Sequence, residues 1–202
     1  MSANIAVLVS GGGTNLQALI NAQESGRLKS GKIALVVSNA AGAYALERAK
    51  KAAIPGVTLL KKQLGGQKEF EEALQKTLEE YKIDVIVLAG FMTILSGEFT
   101  SKWPKRILNI HPALIPSFCG EGFYGLRVHQ AALDYGVKVT GATVHYVNHI
   151  PDGGEIIAQK AVEVLPGDTP EILQRRVMEQ AEWILLPQAA EEVCAKLRGQ
   201  SR

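Results

Sequence analysis

The sequence predicts an α/β protein, a doubly wound, mostly parallel sheet with an antiparallel strand pair towards its C-terminal end. Three observations predict it. Over residues 5–110 short apolar runs alternate with amphipathic segments, the β-α-β rhythm of a parallel sheet. A glycine-rich loop joins the first apolar run to the first amphipathic segment, at the sheet edge where α/β proteins bind ligands. After Pro116 the rhythm gives way to two alternating runs joined by Pro-Asp-Gly-Gly, and then to a long helical pattern.

Residues 5–9 read as the first strand and 15–24 as the first helix. Residues 33–38 are a second strand, and 43–52 a helix rich in Ala, Leu and Lys. Residues 56–60 form a third strand and 68–81 a strongly charged helix. The run 85–89 is wholly apolar, as a central strand buried on both faces should be. Residues 107–110 are the fifth strand, stopped by Pro112, which has no N–H for a ladder. Residues 117–127 read as a loop and 128–135 as a short helix. Residues 140–147 and 155–164 read as strands. Residues 169–197 are helical in pattern, opened by the capping set Asp168-Thr169-Pro170-Glu171. Pro187 is expected to kink or break that helix.

With 202 residues, 47% of them hydrophobic, the expectation is one domain over residues 1–202. Within it, residues 1–100 are expected to hold a phosphate and residues 101–202 the catalytic groups. The formal net charge of +2 argues against a nucleic-acid or anionic-membrane partner. Cys119 and Cys194 show no disulfide or metal-ligand spacing, and no His/Cys/carboxylate cluster has metal spacing, so no metal is expected. No signal peptide is visible and no apolar run approaches the ~18 residues of a membrane span, so a cytoplasmic protein is expected.

The loop Ser10-Gly11-Gly12-Gly13-Thr14-Asn15 fails as a dinucleotide fingerprint. Leu16 stands at the third glycine position, and the second strand ends on Ser38-Asn39 rather than on an acid. No Gly-Lys-Ser/Thr follows, which excludes a P-loop. An anion loop for a single phosphate and a plain tight turn both remain, and Thr14 and Asn15 favour the phosphate.

Asn109 and His111 end the fifth strand. Residues i and i+2 of a strand share a face, so the two side chains address one point, where a carbonyl can accept from both. Asp152, in the loop before Gly153-Gly154, is the carboxylate that would hold His111 as an imidazolium and order a water for proton transfer. His145 reads as a half-buried strand residue, His149 as a turn residue, and His129 as capping or lining the loop helix. Ser10 is not in a nucleophile elbow.

Five motifs in this order, Ser10 to Asn15, Leu88-Ala89-Gly90-Phe91-Met92, Asn109 to Pro116, Gly141 to Val147 and Asp152-Gly153-Gly154, resemble those of the phosphoribosylglycinamide formyltransferases, over nearly the whole chain. The resemblance implies a Rossmann-like formyltransferase fold. It implies transfer of a formyl group from the co-substrate 10-formyltetrahydrofolate to the amine of glycinamide ribonucleotide, in purine synthesis. It implies Asn109, His111 and Asp152 as the catalytic trio. Gly12, Gly13, Thr14, Asn15 and Glu182 would contact the ribonucleotide and its phosphate. Met92, Thr93, Ile94, Leu95, Asn109, Asn148, His149, Ile150, Pro151 and Asp152 would contact the folate. Partners would be these small molecules, with the chain a monomer or homodimer. The chain departs from the family at Thr93, where many members carry arginine, and near Gln67, where several do, and residues 118–127 form a longer loop than in compact members.

Overall fold

The computed structural model describes residues 2–200, the side chain of Gln200 excepted. Seven strands form one sheet: β1 (Ala3–Val9), β2 (Gly31–Ser38), β3 (Gly56–Thr58), β4 (Val85–Leu88), β5 (Ile107–His111), β6 (Val139–Tyr146) and β7 (Ile156–Glu163). The helices are α1 (Thr14–Glu24), α2 (Tyr44–Lys51), α3 (Lys61–Leu64), α4 (Gln67–Glu80), α5 (Gly97–Ser101), α6 (Leu126–Tyr135), α7 (Pro170–Val177) and α8 (Trp183–Gln200), with a π turn, Met178–Glu182, between the last two. The strand order is β3-β2-β1-β4-β5-β6-β7. Pairing is parallel from β3 to β5 and antiparallel for β5–β6 and β6–β7, as the sequence predicts. Between β1 and β4 the order reverses, which opens a crevice at their carboxyl ends.

Alternation along each strand divides the core into two layers. Ile5, Val7 and Val9 of β1 pack with α1 and α8 on one face; Ala6 and Leu8 pack with Phe70, Leu74 and Leu78 of α4 on the other. Every residue of β4 is buried, which explains its unbroken apolar run. Thr169 caps α7, its hydroxyl accepting the Ile172 N–H, and Pro170 occupies the first turn. Two short helices, α3 and α5, escape the sequence reading, since each is about one turn and too brief to show a period.

The C-terminal helix corrects one expectation. Pro187 lies inside α8, and the chain stays helical through it. A π turn, Met178–Glu182, leads into that helix. That wide turn carries Ala181 and Glu182 inward. Among the described residues no helix is long and apolar enough to cross a membrane.

Candidate active site

β5 carries Asn109 and His111 to the carboxyl edge of the sheet. Leu108 and Ile110 face the α1–α8 layer, so alternation places Asn109 and His111 on the opposite side with Ile107. Antiparallel pairing with β6 sets Asn109 against His145 and His111 against Thr143. Asp152 comes from the loop joining β6 to β7, with a left-handed backbone at φ 53°. Both glycines after it are required by space. A Cβ on Gly153 would lie 2.6 Å from Ile150 Cγ2, and one on Gly154 1.7 Å from the Tyr146 carbonyl oxygen. The loop is folded tightly onto the end of β6, and this brings the carboxylate to the β5 side chains.

Asp152 Oδ2 lies 3.4 Å from His111 Nδ1 and accepts the Gly120 N–H at 2.8 Å. Oδ1 accepts from Asn109 Nδ2 at 3.4 Å and lies 3.5 Å from His145 Nε2. Backbone carbonyls assign the tautomers. His111 Nε2 is 2.8 Å from the Phe118 oxygen and His145 Nδ1 is 2.8 Å from the Tyr146 oxygen, so each of these nitrogens carries hydrogen. His145 Nε2 then accepts from Asn109 Nδ2 at 3.2 Å. His111 Nδ1 is left with its lone pair towards the carboxylate, a seat for an incoming proton.

Burial decides the charge of His111. Only 4% of the residue is exposed, and burial lowers its pKa more than the Asp152 charge and the Phe118 carbonyl raise it; His145 lowers it further. The resting ring is neutral. This corrects the expectation of a standing imidazolium: the carboxylate is in place, but desolvation outweighs it. For Asp152, burial pushes the carboxyl up, and the neighbouring His145 and His111 rings and the Gly120 N–H together outweigh it, so its pKa falls below the ordinary value.

These groups sit in a cavity of about 480 Å³. It is lined by Met92, Thr93, Ile94, Leu95, Asn148, Ile150 and Pro151 on one side and by Thr14, Asn15 and Glu182 on the other. Both halves of the chain therefore contribute to both sides. Glu182 Oε2 accepts from Asn15 Nδ2 at 2.6 Å, so that amide is committed to the carboxylate. Burial raises the Glu182 pKa and the Asn15 bond opposes this. Gly12 and Gly13 lie behind the lining. His149 does not reach the cavity: it turns outward, its Cβ 3.3 Å from where a Gly97 Cβ would be. At the two departures from the family, Thr93 Oγ1 accepts from Asn39, while Gln67 donates to the Ile94 carbonyl and accepts from Lys61. A wider cleft of about 710 Å³ elsewhere is lined by charges that pair among themselves, as in Lys105–Glu155 at 2.7 Å.

Sequence reasoning missed His145, Gly120, Gln174 and Met178. The signal for His145 was its place opposite Asn109, visible only once the β5–β6 register is known. Gln174, Met178 and Glu182 recur every fourth residue, the stripe of one helical face, and all three line the cavity. Neither cysteine is an activated nucleophile, since burial raises both thiols, Cys194 to about 12. Among the described residues no group of three His, Cys, Asp or Glu side chains could hold a metal ion.

His129 is fully buried on α6, with neither ring nitrogen hydrogen-bonded, and burial together with the nearby His111 pushes its pKa down to about 4. The fold holds it neutral, whereas the unfolded chain takes up the proton near 6.5. Stability is therefore complete above pH 6.5 and is lost as the pH falls towards 4. The loss expected from this group is about 3 kcal/mol at most. Chemical denaturation across that range should show a shallower pH slope in His129→Leu than in the wild type; an unchanged slope would contradict the assignment.

Residues 3–189 match the family described as formyl transferase. The trifunctional purine biosynthetic protein adenosine-3 of Gallus gallus is 48% identical over 191 residues; the match takes in 95% of this chain and 18% of that protein. Phosphoribosylglycinamide formyltransferase of Haemophilus influenzae is 44% identical over 176 residues, 87% of this chain and 80% of that one. The chain thus spans under a fifth of the trifunctional relatives and most of the bacterial one. Among solved structures, glycinamide ribonucleotide transformylase 1 of Symbiobacterium toebii superposes with a TM-score of 0.90 at 40% identity, covering 96% of this chain and 89% of that one. Phosphoribosylglycinamide formyltransferase of Brucella melitensis gives 0.88 at 40% identity, covering 96% and 97%.

Proposed function

Because the chain belongs to the formyl transferase family, we propose that it moves a formyl group from 10-formyltetrahydrofolate to the amine of glycinamide ribonucleotide, a step of purine synthesis. The observation that carries this reading is the grouping of Asn109 and His111 about the Asp152 carboxylate, each 3.4 Å from it, within one cavity, with an apolar wall on one side and Asn15–Glu182 on the other. Relatives named for this reaction support it. The partners are small molecules, in keeping with the balanced charge of +2.

The folate supplies the formyl carbon. The apolar wall of Met92, Ile94, Leu95 and Ile150 fits a flat ring, and the loop 148–152 closes over it. Loop amides at residues 12–15 receive the phosphate, and Glu182, held by Asn15, accepts from the ribonucleotide. Asn109 donates to the oxygen that gains negative charge as the amine adds to the formyl carbon. Its 3.4 Å contact with Asp152 is longer than its 3.2 Å contact with His145 Nε2 and is the one this oxygen replaces. His111 Nδ1 takes the proton lost by the amine, and the Asp152 carboxylate beside it stabilises the imidazolium so formed. The proton passes on, through a water ordered by Asp152, to the departing nitrogen as its bond to the formyl carbon breaks. Orientation of two bound substrates contributes several kcal/mol, up to ~10 in favourable cases.

Folate deformylation followed with and without glycinamide ribonucleotide tests the function. Turnover that depends on the amine supports formyl transfer; turnover without it would indicate a hydrolase, and none would leave only a nucleotide-binding module. A neutral resting His111 also sets a pH dependence. Protonation in acid removes the base, and burial displaces that step downward, so the acid limb of kcat/KM lies below 6.5. A limb at or above 6.5 would mean that the imidazolium is the resting form.

A further inference from the structure

We propose that Arg48, on α2 and outside the cavity, positions the backbone amides that receive the substrate phosphate and supplies fixed positive charge behind them. This rests on the function proposed above. The residues lining the cavity include no Lys or Arg, and three of them, Glu121, Asp152 and Glu182, are acidic. A phosphate entering there meets no cation on the wall and must be held by N–H groups. The first bond of α1 runs from Gln17 N to Gly13 O, so the amides of residues 13–16 have no partner inside the helix.

What turns those amides towards the cavity lies on the far side of the loop. The Gly11 carbonyl accepts from Ala45 N at 3.0 Å, and the Gly12 carbonyl accepts from Arg48 Nε at 2.8 Å. Across a trans peptide the C=O and the following N–H point in opposite directions. Holding these two carbonyls against α2 therefore turns the N–H groups of Gly12 and Gly13 the other way, where Thr14 and Asn15 line the cavity. The loop has no slack against α2: a Cβ on Gly13, whose φ is +70°, would lie 2.6 Å from Ala45 Cβ. Arg48 is itself fixed, with Nη1 donating to Gln17 Oε1 at 3.0 Å and the guanidinium 5.1 Å above the Tyr44 ring. A planar fork with two simultaneous acceptors is a task that lysine does not reproduce.

Steady-state kinetics at saturating formyl-folate test this, with glycinamide ribonucleotide compared with the unphosphorylated glycinamide riboside. In Arg48→Ala the KM for the nucleotide should rise about tenfold, the effect of one hydrogen bond from a charged donor. The kcat/KM for the riboside, which has no phosphate to place, should stay within about twofold of wild type on the same reasoning. Inorganic phosphate should compete with the nucleotide, and Arg48→Ala should weaken its inhibition by the same factor; Arg48→Lys should recover part of the loss. Equal losses on both substrates would reduce Arg48 to a structural brace and overturn the proposal, as would an unchanged nucleotide KM. If the wild type formylates neither amine, the functional reading fails. Phosphate binding by calorimetry, wild type against Arg48→Ala, then still decides the role of Arg48: weaker binding upholds it and equal binding refutes it.

Discussion

Asp152→Asn lowers kcat by roughly three orders of magnitude, within the 10²–10⁴ that a positioned proton-transfer group supplies, while the melting temperature changes little. Asparagine keeps the shape of the side chain and tolerates the left-handed backbone that Asp152 adopts at φ 53°, so the loop remains folded. It can still accept the Gly120 N–H. What disappears is the negative charge 3.4 Å from His111 Nδ1. His111 is already reluctant to take a proton because of burial, and without the carboxylate only the Phe118 carbonyl offsets that cost at the moment when the amine must be deprotonated. Single-turnover rates and thermal melts on the same preparation check this. A rate within tenfold of wild type would remove Asp152 from the mechanism.

Gly154→Ala abolishes activity without touching a titratable group. The new methyl would sit 1.7 Å from the Tyr146 carbonyl oxygen, a backbone atom that no rotamer change can move aside. Tyr146 is tied into the sheet through its N–H to the Glu155 carbonyl at 2.9 Å, so the loop has to give way and carry Asp152 with it. Overpacking of this kind costs about 1–3 kcal/mol, a drop of roughly 5 °C in Tm for a chain of this size. The loss of turnover should far exceed what that drop explains. Wild-type turnover in Gly154→Ala would show that the loop's tightness does not set the carboxylate's position.

The fold was legible because its periods are strong. β4 and residues 5–9 of β1 are unbroken apolar runs, and Thr169-Pro170 announces a helix that the structure starts at Pro170. Asn109 and His111 were legible as a pair because strand alternation is local. His145 was not: its partnership with Asn109 lies 36 positions away and depends on an antiparallel register that no single strand reveals. The Phe118 carbonyl and the Gly120 amide contribute backbone atoms, which residue identity does not announce. The charge of His111 could not be read either. The carboxylate beside it was foreseeable, but the desolvation that prevails is a sum over everything packed around the ring. At Pro187 the expected break does not occur, since the helix runs on through it.

The bond between Asn15 and Glu182 joins residues 167 positions apart, from the first helix and the turn that leads into the last. One wall of the cavity is thus a seam between the two ends of the chain, and it exists only while α8 is docked on α1. For the nucleotide proposed above, binding and closure of that seam are linked. A bound nucleotide acts as a latch, and amide protons of α8, well away from any contact with it, will exchange more slowly in its presence.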